Sequence, residues 1–418
     1  MADTHGAFKL AFREQIEFFR RKINLPSERY DDIKRGAHDR GFIVAGATKA
    51  GLLDDLRAAV DRANADGGTL ADFRKDFRAL VAKHGWTGWT GEGTKAGEAW
   101  RTKVIWQTNL RTSHAAGRYA QLTDPETKKA LPYWRYVHND AALSPRPEHK
   151  HWGDARLTLP VDHPFWKTGY PPNGWGCGCY VVGEPAPPDG ALTEPPPGWD
   201  EPDPETGRLP GIDQGWDYAP GANATTPLLD LVGQKLINVE APIGAAMWES
   251  LGEAVAAEQR LALAEMADRV TSTLRAQGEA VLIGGVPPDV VTRLQALGHP
   301  MQSADIWLRD EELLHALREA KRERAAALPV EVWRDLPRLL RQGEAYFDAA
   351  DPALVYVIDG VLKTGKVAIR VDYHSKLRDA TSGKRKQRVA NFIRTGGLLR
   401  DGDMSEKRYV KLGGGGGT

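Results

Sequence analysis

The sequence of 418 residues predicts an α+β protein in two folded parts: a helical N-terminal domain with a small irregular α+β portion, then a Pro-rich linker, then a C-terminal α+β domain with a small antiparallel sheet. Three observations predict this. Apolar residues recur at helical spacing through the first part, as in Phe8, Phe12, Ile16 and Phe19 and again in Leu52, Leu53, Leu56 and Val60. Between Pro185 and Pro242 lie 12 of the chain's 27 prolines, a density that breaks helices and central strands and favours extended linker structure. Near the C-terminus three apolar runs, ALVYVID, KVAIRVDYH and RVANFIRT, read as strands. The expected boundaries are 1–183 for the first domain, 184–245 for the linker, 246–412 for the second domain and 413–418 for a disordered Gly tail.

Composition narrows the function classes. Hydrophobic residues at 41% and charged residues at 27% fit folded globular domains, and the length suits two or three of them. Lys plus Arg and Asp plus Glu number 56 each, so net charge names no partner and only local patches can. The sequence contains no run of ~20 apolar residues and opens on a charged, amphipathic stretch, so neither a membrane span nor an export signal is expected. Cys177 and Cys179 are too few and too close for a disulfide framework, which points to synthesis in a reducing cytoplasm.

In chain order, Ser27 before ERYDDI and Thr69 before LADFRKDF predict helix starts, and GWTGWTGEGT predicts a break. A long helix is expected from Ala96 to Leu122. It carries Arg111, His114 and Arg118 off its apolar stripe, on a face that either contacts a partner or is simply solvated. From Tyr133 to Val182 short runs such as YWRYVH and CYVV predict short strands among long loops. The aromatics Trp152, Phe165, Trp166, Tyr170 and Trp175 are expected in the core. After the linker, helix is expected over Trp248 to Gln277, then strand, turn and helix in VLIGGVPPDVVTRLQALG. Further helices follow in DEELLHALREAKRERAA and PVEVWRDLPRLLRQG. Two domains joined by a linker would be cut by limited proteolysis between Gly183 and Pro242.

Two blocks carry a family signal: RTKVIWQTNLRTSHAAGRYAQL, then PYWRYVHNDAALSPRPEHKHWGDARLTLPVDHPFWKTGYPPNGWGCGCYVV. Together with the opening FREQIEFFRRKINLPSERYDDIKRGAHDRGFIVAGA they resemble the Mu F-like head-morphogenesis family of bacteriophage minor head proteins, over roughly the first 180 residues. The resemblance implies a capsid component present in few copies, made in the bacterial host cytoplasm and carried in the virion head. It also implies partners among portal, capsid and scaffold proteins, and no membrane.

The same stretch shows a metal-ligand constellation. Cys177 and Cys179 offer soft thiolates, and His149, His151 and His163 lie upstream as imidazoles, a set that suits tetrahedral zinc in a structural role. The other reading is that the cysteines are small apolar core residues and the histidines pin loops.

Cations concentrate near the C-terminus: Lys363, Lys366, Arg370, His374, Lys376, Arg378, Lys384, Arg385, Lys386, Arg388 and Arg394, with Tyr373 and Phe392 among them. Such a surface neutralises phosphates and stacks bases. Helices before a small sheet, with RDEELLHALR, KVAIRVDYH and RTGG, also resemble the phage nuclease domains grouped with barnase, EndoU, colicin and RelE-like toxins. That resemblance implies metal-independent RNA transesterification, RNA as substrate and an inhibitor protein as a further partner. His315 or His374 would be the base, Lys366, Arg370 and Arg394 would stabilise charge, and Thr395 would donate a hydroxyl. Tyr373, Lys376, Lys384, Arg385 and Arg388 would bind nucleic acid, and no cofactor would be required. The alternative is a non-catalytic module that binds packaged DNA or the portal.

Overall fold

The computed structural model describes residues 12–142, 144–225, 227–317, 327–359, 364–378, 385–400 and 402–414, without the side chains of 377–378 and 385–386. The chain divides into two compact units, Met1–Thr226 and Pro227–Thr418.

The first unit begins with helix α1 (Arg13–Arg20), strand β1 (Ile23–Asn24), a 3-10 turn (Arg35–Asp39) and strand β2 (Gly41–Phe42), which pairs in parallel with β1. Ser27 does not start a helix. Its hydroxyl bonds Arg29 and Asp32 inside a turn, and its backbone bridges to Ala47, which holds this stretch extended. Helices α2 (Ala50–Asp66), α3 (Leu70–His84) and α4 (Lys95–Thr123) follow as expected. Thr69 caps α3 in a capping box with Asp72, and Leu52, Leu53, Leu56 and Val60 of α2 are buried with Phe73, Phe77, Trp86 and Trp89. The Gly-rich break therefore interrupts the helix while its two indoles fill the core.

The second half of this unit contains helix α5 (Pro125–Ala130), strand β3 (Tyr133–Val137), helix α6 (Pro147–Asp154), strand β4 (Thr158–Pro160), helix α7 (Trp166–Gly169) and strand β5 (Tyr180–Glu184). The sheet order is β4-β3-β5, antiparallel throughout. Trp134, Tyr136, Trp152, Phe165, Trp166 and Tyr170 form its core, whereas Trp175, expected inside, is 42% exposed.

Residues 185–225 are not a free linker. Leu192 exchanges backbone bonds with Thr158 and Ala155, Asp213 N donates to Asn173, and Gly221 N and Asn223 N donate to the buried Asp39 carboxylate. Proline excludes regular ladders here, but it does not prevent burial, and Trp216 and Tyr218 are buried while Trp199 packs on Phe165.

The second unit starts with helix α8 (Leu228–Ile237), inside the span expected to be linker, and helix α9 (Ala241–Thr273), whose Pro242 sits in the first turn where proline is tolerated. Then come strand β6 (Ala280–Gly285), helix α10 (Pro288–Ala296), strand β7 (Asp305–Arg309), helix α11 (Asp310–Ala316), helix α12 (Val330–Arg334), helix α13 (Leu336–Gln342) and strands β8 (Glu344–Asp348), β9 (Ala353–Asp359), β10 (Thr364–Arg378), β11 (Arg385–Leu398) and β12 (Tyr409–Gly414). The expected single helix over PVEVWRDLPRLLRQG is divided at Asp335, because Pro337 lacks the amide a continuous helix needs.

The sheet exceeds the four strands expected, adding β7, β8 and β12: its order is β12-β8-β9-β10-β11-β7-β6, antiparallel except for the parallel pair β11–β7. Ile306, Leu308, Val367, Ile369 and Ile393 face a core with Leu263, Met266, Leu313, Trp333 and Leu340 from the helices. On the opposite face Ile237 of α8 packs against Trp307, Ala390, Phe392 and Tyr373. Gly413 and Gly414, expected to be disordered, pair with Ala345 and Glu344, and Gly414 N bonds the Asp289 carboxylate. The remainder of that tail lies outside the described residues.

Candidate functional site

The most organised polar cluster of the first unit is built on α6 and the loop before β5. His149, Cys177 and Cys179 are all buried and present their ligand atoms within 4.8 Å of one another. Their burial comes from both sides. The His149 ring stacks on Trp152 at 5.5 Å and meets the edge of Tyr136, while the cysteine loop is held by Arg111, whose guanidinium donates to the carbonyls of Gly176 and Cys177.

The loop needs its glycines. Gly176 has φ +73°, and a Cβ at Gly178 would come within 2.4 Å of the Asn139 amide, so the cysteines flank a position where the chain passes too close for a side chain.

His149 Nε2 lies 2.6 Å from the Gly211 carbonyl oxygen and therefore carries the proton that it donates. Its Nδ1 lone pair is left to face Cys177 Sγ and Cys179 Sγ, each at 3.7 Å. Gly211 is held in turn by neighbours: Arg146 pairs with Asp213 at 2.5 Å, and the same carboxylate accepts from Trp175 N at 2.9 Å. The thiols differ in character. The hydrogen bond between them, with burial, pushes the Cys177 thiol up, while bonds from Cys177 and Tyr136 pull Cys179 down.

Of the predicted ligands, the structure joins His149, Cys177 and Cys179. It does not join His151, which lies two residues along α6 and is exposed, because a step of two rotates a helical residue to the far side. His163 is occupied otherwise, accepting from Phe165 N at 3.1 Å. Arg111, Gly211 and Asp213 were not among the sequence candidates as parts of this site. Their only signal is distance-blind: a cation on a helix and a Gly-x-Asp among prolines.

A separate cavity of about 410 Å³ in this unit is lined by Lys22, His38, Arg101, Trp216 and Tyr218 among others. Burial pushes Lys22 down to about 8 and His38 down to about 4, and beside them burial pushes Asp39 up to about 6. His114 is exposed and meets the Phe12 ring, and Arg118 bonds Gln121 on its own helix.

In the second unit the sheet alternation separates the predicted catalytic residues. Lys366 and Arg370 alternate with the core residues Val367 and Ile369, so they project from the outer face. Thr395, opposite Ala368, shares that face, and Arg388, opposite Ser375, shares it with Tyr373. Arg370 lies over the Tyr373 ring at 4.6 Å and Lys366 over Tyr409 at 5.7 Å. His374 and Lys376 alternate with Tyr373 and are exposed on the other side. His315 is exposed on α11, whose Leu313 and Ala316 enter the inner core, so neither histidine shares the face of Lys366 and Arg370. Arg394, exposed at a bulge, pairs with Asp351 at 2.5 Å. Lys363 and Lys384, and the side chains of Arg378, Arg385 and Lys386, lie outside the described residues.

Sequence reasoning missed Arg309, whose guanidinium lies 5.1 Å from the Phe392 ring centre and 5.7 Å from that of Tyr373. It also missed the buried network of Asp305 and Asn391, where Asn391 N and Trp307 Nε1 both donate to one Asp305 oxygen.

Residues 54–182, from within α2 into β5, match the family model described as Phage Mu protein F like protein. Over 188 residues the chain is 35% identical to the "Putative capsid assembly protein F" of Escherichia phage Mu, covering 43% of this chain and 42% of that protein. It is 36% identical over 163 residues to the "Mu-like prophage FluMu F protein" of Haemophilus influenzae, 38% of each. The chain thus spans about two-fifths of the curated relatives it matches. No solved structure matches it with significance. Among the described residues no helix is long and apolar enough to cross a membrane.

Proposed function

We propose that the chain acts in phage head morphogenesis, as a minor capsid protein carried in the virion, with portal, capsid or scaffold proteins as partners. The observation that carries this reading is the likeness of 188 residues, at 35% identity, to a protein named for capsid assembly. Deleting its reading frame from the phage or prophage that encodes it tests the reading. The expected result is loss of mature heads, with the chain detected by mass spectrometry in purified wild-type particles. Normal yields of infectious particles that lack the chain would overturn it.

A second reading concerns the second unit: it engages RNA through its outer sheet face and cleaves it without a metal. What favours it is the row of Lys366, Arg370 and Arg388 beside Tyr373 and Thr395, in which cations alternate with a stacking ring. The exposed His374 is the base in this reading, reaching substrate over the strand edge, and Arg394 stabilises the phosphate charge once it leaves Asp351. RNA incubated in EDTA with full-length protein should be cut by the wild type and spared by Arg370→Ala and Arg394→Ala. Binding without cutting would leave the basic face as a nucleic-acid contact of the head protein, and neither binding nor cutting would end the reading.

A further inference from the structure

We propose that His149, Cys177 and Cys179 hold a zinc ion that closes the irregular half of the first unit. Nothing in this inference depends on the assembly reading.

The geometry carries it. His149 Nδ1 has one lone pair, so only one thiol could donate a hydrogen bond to it, yet both sulfurs stand at 3.7 Å. Equal distances suit a shared centre. For zinc bonds of about 2.3 Å to sulfur and about 2.0 Å to nitrogen at tetrahedral angles, the sulfur-to-nitrogen separation is roughly 3.5 Å. The three residues are 2%, 5% and 9% exposed, so the ligand set is buried.

The surroundings are those a zinc-bound imidazole takes. Such a histidine usually donates its other N–H to a carbonyl or carboxylate, which fixes the tautomer, and His149 Nε2 donates to Gly211. Three protein ligands leave a fourth position for water. A cleft of about 520 Å³ bordered by Cys177, Gly178, Cys179, Arg111 and Asn139 reaches the sulfur side of the cluster. The ligands come from α6 and from the loop leading into β5, so the ion would cross-link a helix and a loop beside a sheet whose strands are only 3 to 5 residues long. That is where a structural zinc contributes most.

Full-length protein, produced without a metal-affinity tag and gel-filtered, should contain roughly one zinc per chain by mass spectrometry of the elements. Replacing it with Co²⁺ should give the intense visible bands of a tetrahedral ion and a near-ultraviolet thiolate charge-transfer band. His149→Ala and Cys179→Ser should each lower affinity by more than the ~10–100-fold typical of changes around a ligand, and His151→Ala should leave the metal content unchanged. Should the ligand variants fail to fold, wild-type protein decides. Chelation should expose two thiols to Ellman's reagent and zinc should protect them again. A folded wild-type chain that carries no zinc, takes up no Co²⁺ and has thiols indifferent to chelator would overturn the proposal, as would His151→Ala losing as much metal as His149→Ala.

Discussion

Asn391→Ala attacks the seam that joins two parts of the large sheet. Strands β7 and β11 pair in parallel through only two residue pairs, Asn391 with Ile306 and Phe392 with Trp307. The Asn391 side chain reinforces that short ladder. Its Nδ2 donates to Ser303 O at 2.9 Å and to Asp305 O at 2.8 Å, and its Oδ1 accepts from Asp372 N at 2.9 Å. Alanine removes all three bonds. Ser303, Asp305 and Asn391 are buried, so the two carbonyls gain no water, whereas the Asp372 amide is half-exposed and rehydrates. At about 1–3 kcal/mol for each buried group left unsatisfied, the two carbonyls together cost about 2 to 6 kcal/mol. At ~2–4 °C per kcal/mol for a unit of this size, the thermal midpoint should fall by roughly 4 to 24 °C. Calorimetry of the full chain gives the shift, and hydrogen exchange over residues 303–309 and 387–393 assigns it to this seam. Asn391→Asp should be worse than alanine, since it sets a carboxylate against two carbonyls and beside Asp305. A fall of less than ~2 °C with unchanged exchange would refute the reasoning.

Three further outcomes are expected. Burial pushes Asp39 up to about 6, above its ordinary 3.8, so its share of stability is full below about pH 4 and is lost as pH rises through 6. Relative to wild type, Asp39→Asn should therefore gain stability between pH 4 and 7, by at most about 3 kcal/mol, and a pH-independent difference in urea unfolding would contradict this. Thr69→Ala removes a cap in which Thr69 Oγ1 accepts from Asp72 N at 3.2 Å, and should cost about 1 kcal/mol while Thr69→Ser costs little, read as faster exchange in the first turn of α3. Gly211 has φ +70° and its Cβ would come 2.8 Å from Glu148 Cβ, so Gly211→Ala should destabilise the first unit by more than ~1 kcal/mol and loosen the His149 ring, visible as a shifted imidazole resonance.

The helices were legible because their signals are local. The spacing of Leu52, Leu53, Leu56 and Val60, and the Thr69 cap, each lie within a few turns of what they determine. The sheet of the second unit was half legible. ALVYVID, KVAIRVDYH and RVANFIRT alternate as strands should, but β12 ends in glycines that only pairing with Glu344 and Ala345 makes strand-like. The two cysteines and His149 could be named from the sequence because few residue types ligate soft metals. Choosing His149 over His151 needed the phase of α6, and the supporting Gly211 and Arg111 lie 62 and 66 residues from the groups they bond. No periodicity reaches across such a gap.

The Pro-rich stretch shows how burial can replace regular structure. Residues 185–225 contribute no helix or strand, yet they are fastened at spaced points: Leu192 to Thr158 and Ala155, Gly211 to His149, Asp213 to Arg146, and Gly221 and Asn223 to Asp39. All of these but the Asp213–Arg146 ion pair use backbone groups that proline's neighbours cannot spend on a ladder, and Trp199, Trp216 and Tyr218 add the apolar area. Limited proteolysis should therefore spare most of 185–225 under native conditions, because a protease needs several residues of unfastened chain. Exposed turns such as 203–208 are where cutting should begin, and the fragments should stay associated through these bonds. Rapid cutting throughout 185–225, with release of a compact fragment ending near Gly183, would return that stretch to the role of linker and remove Gly211 from the support of His149.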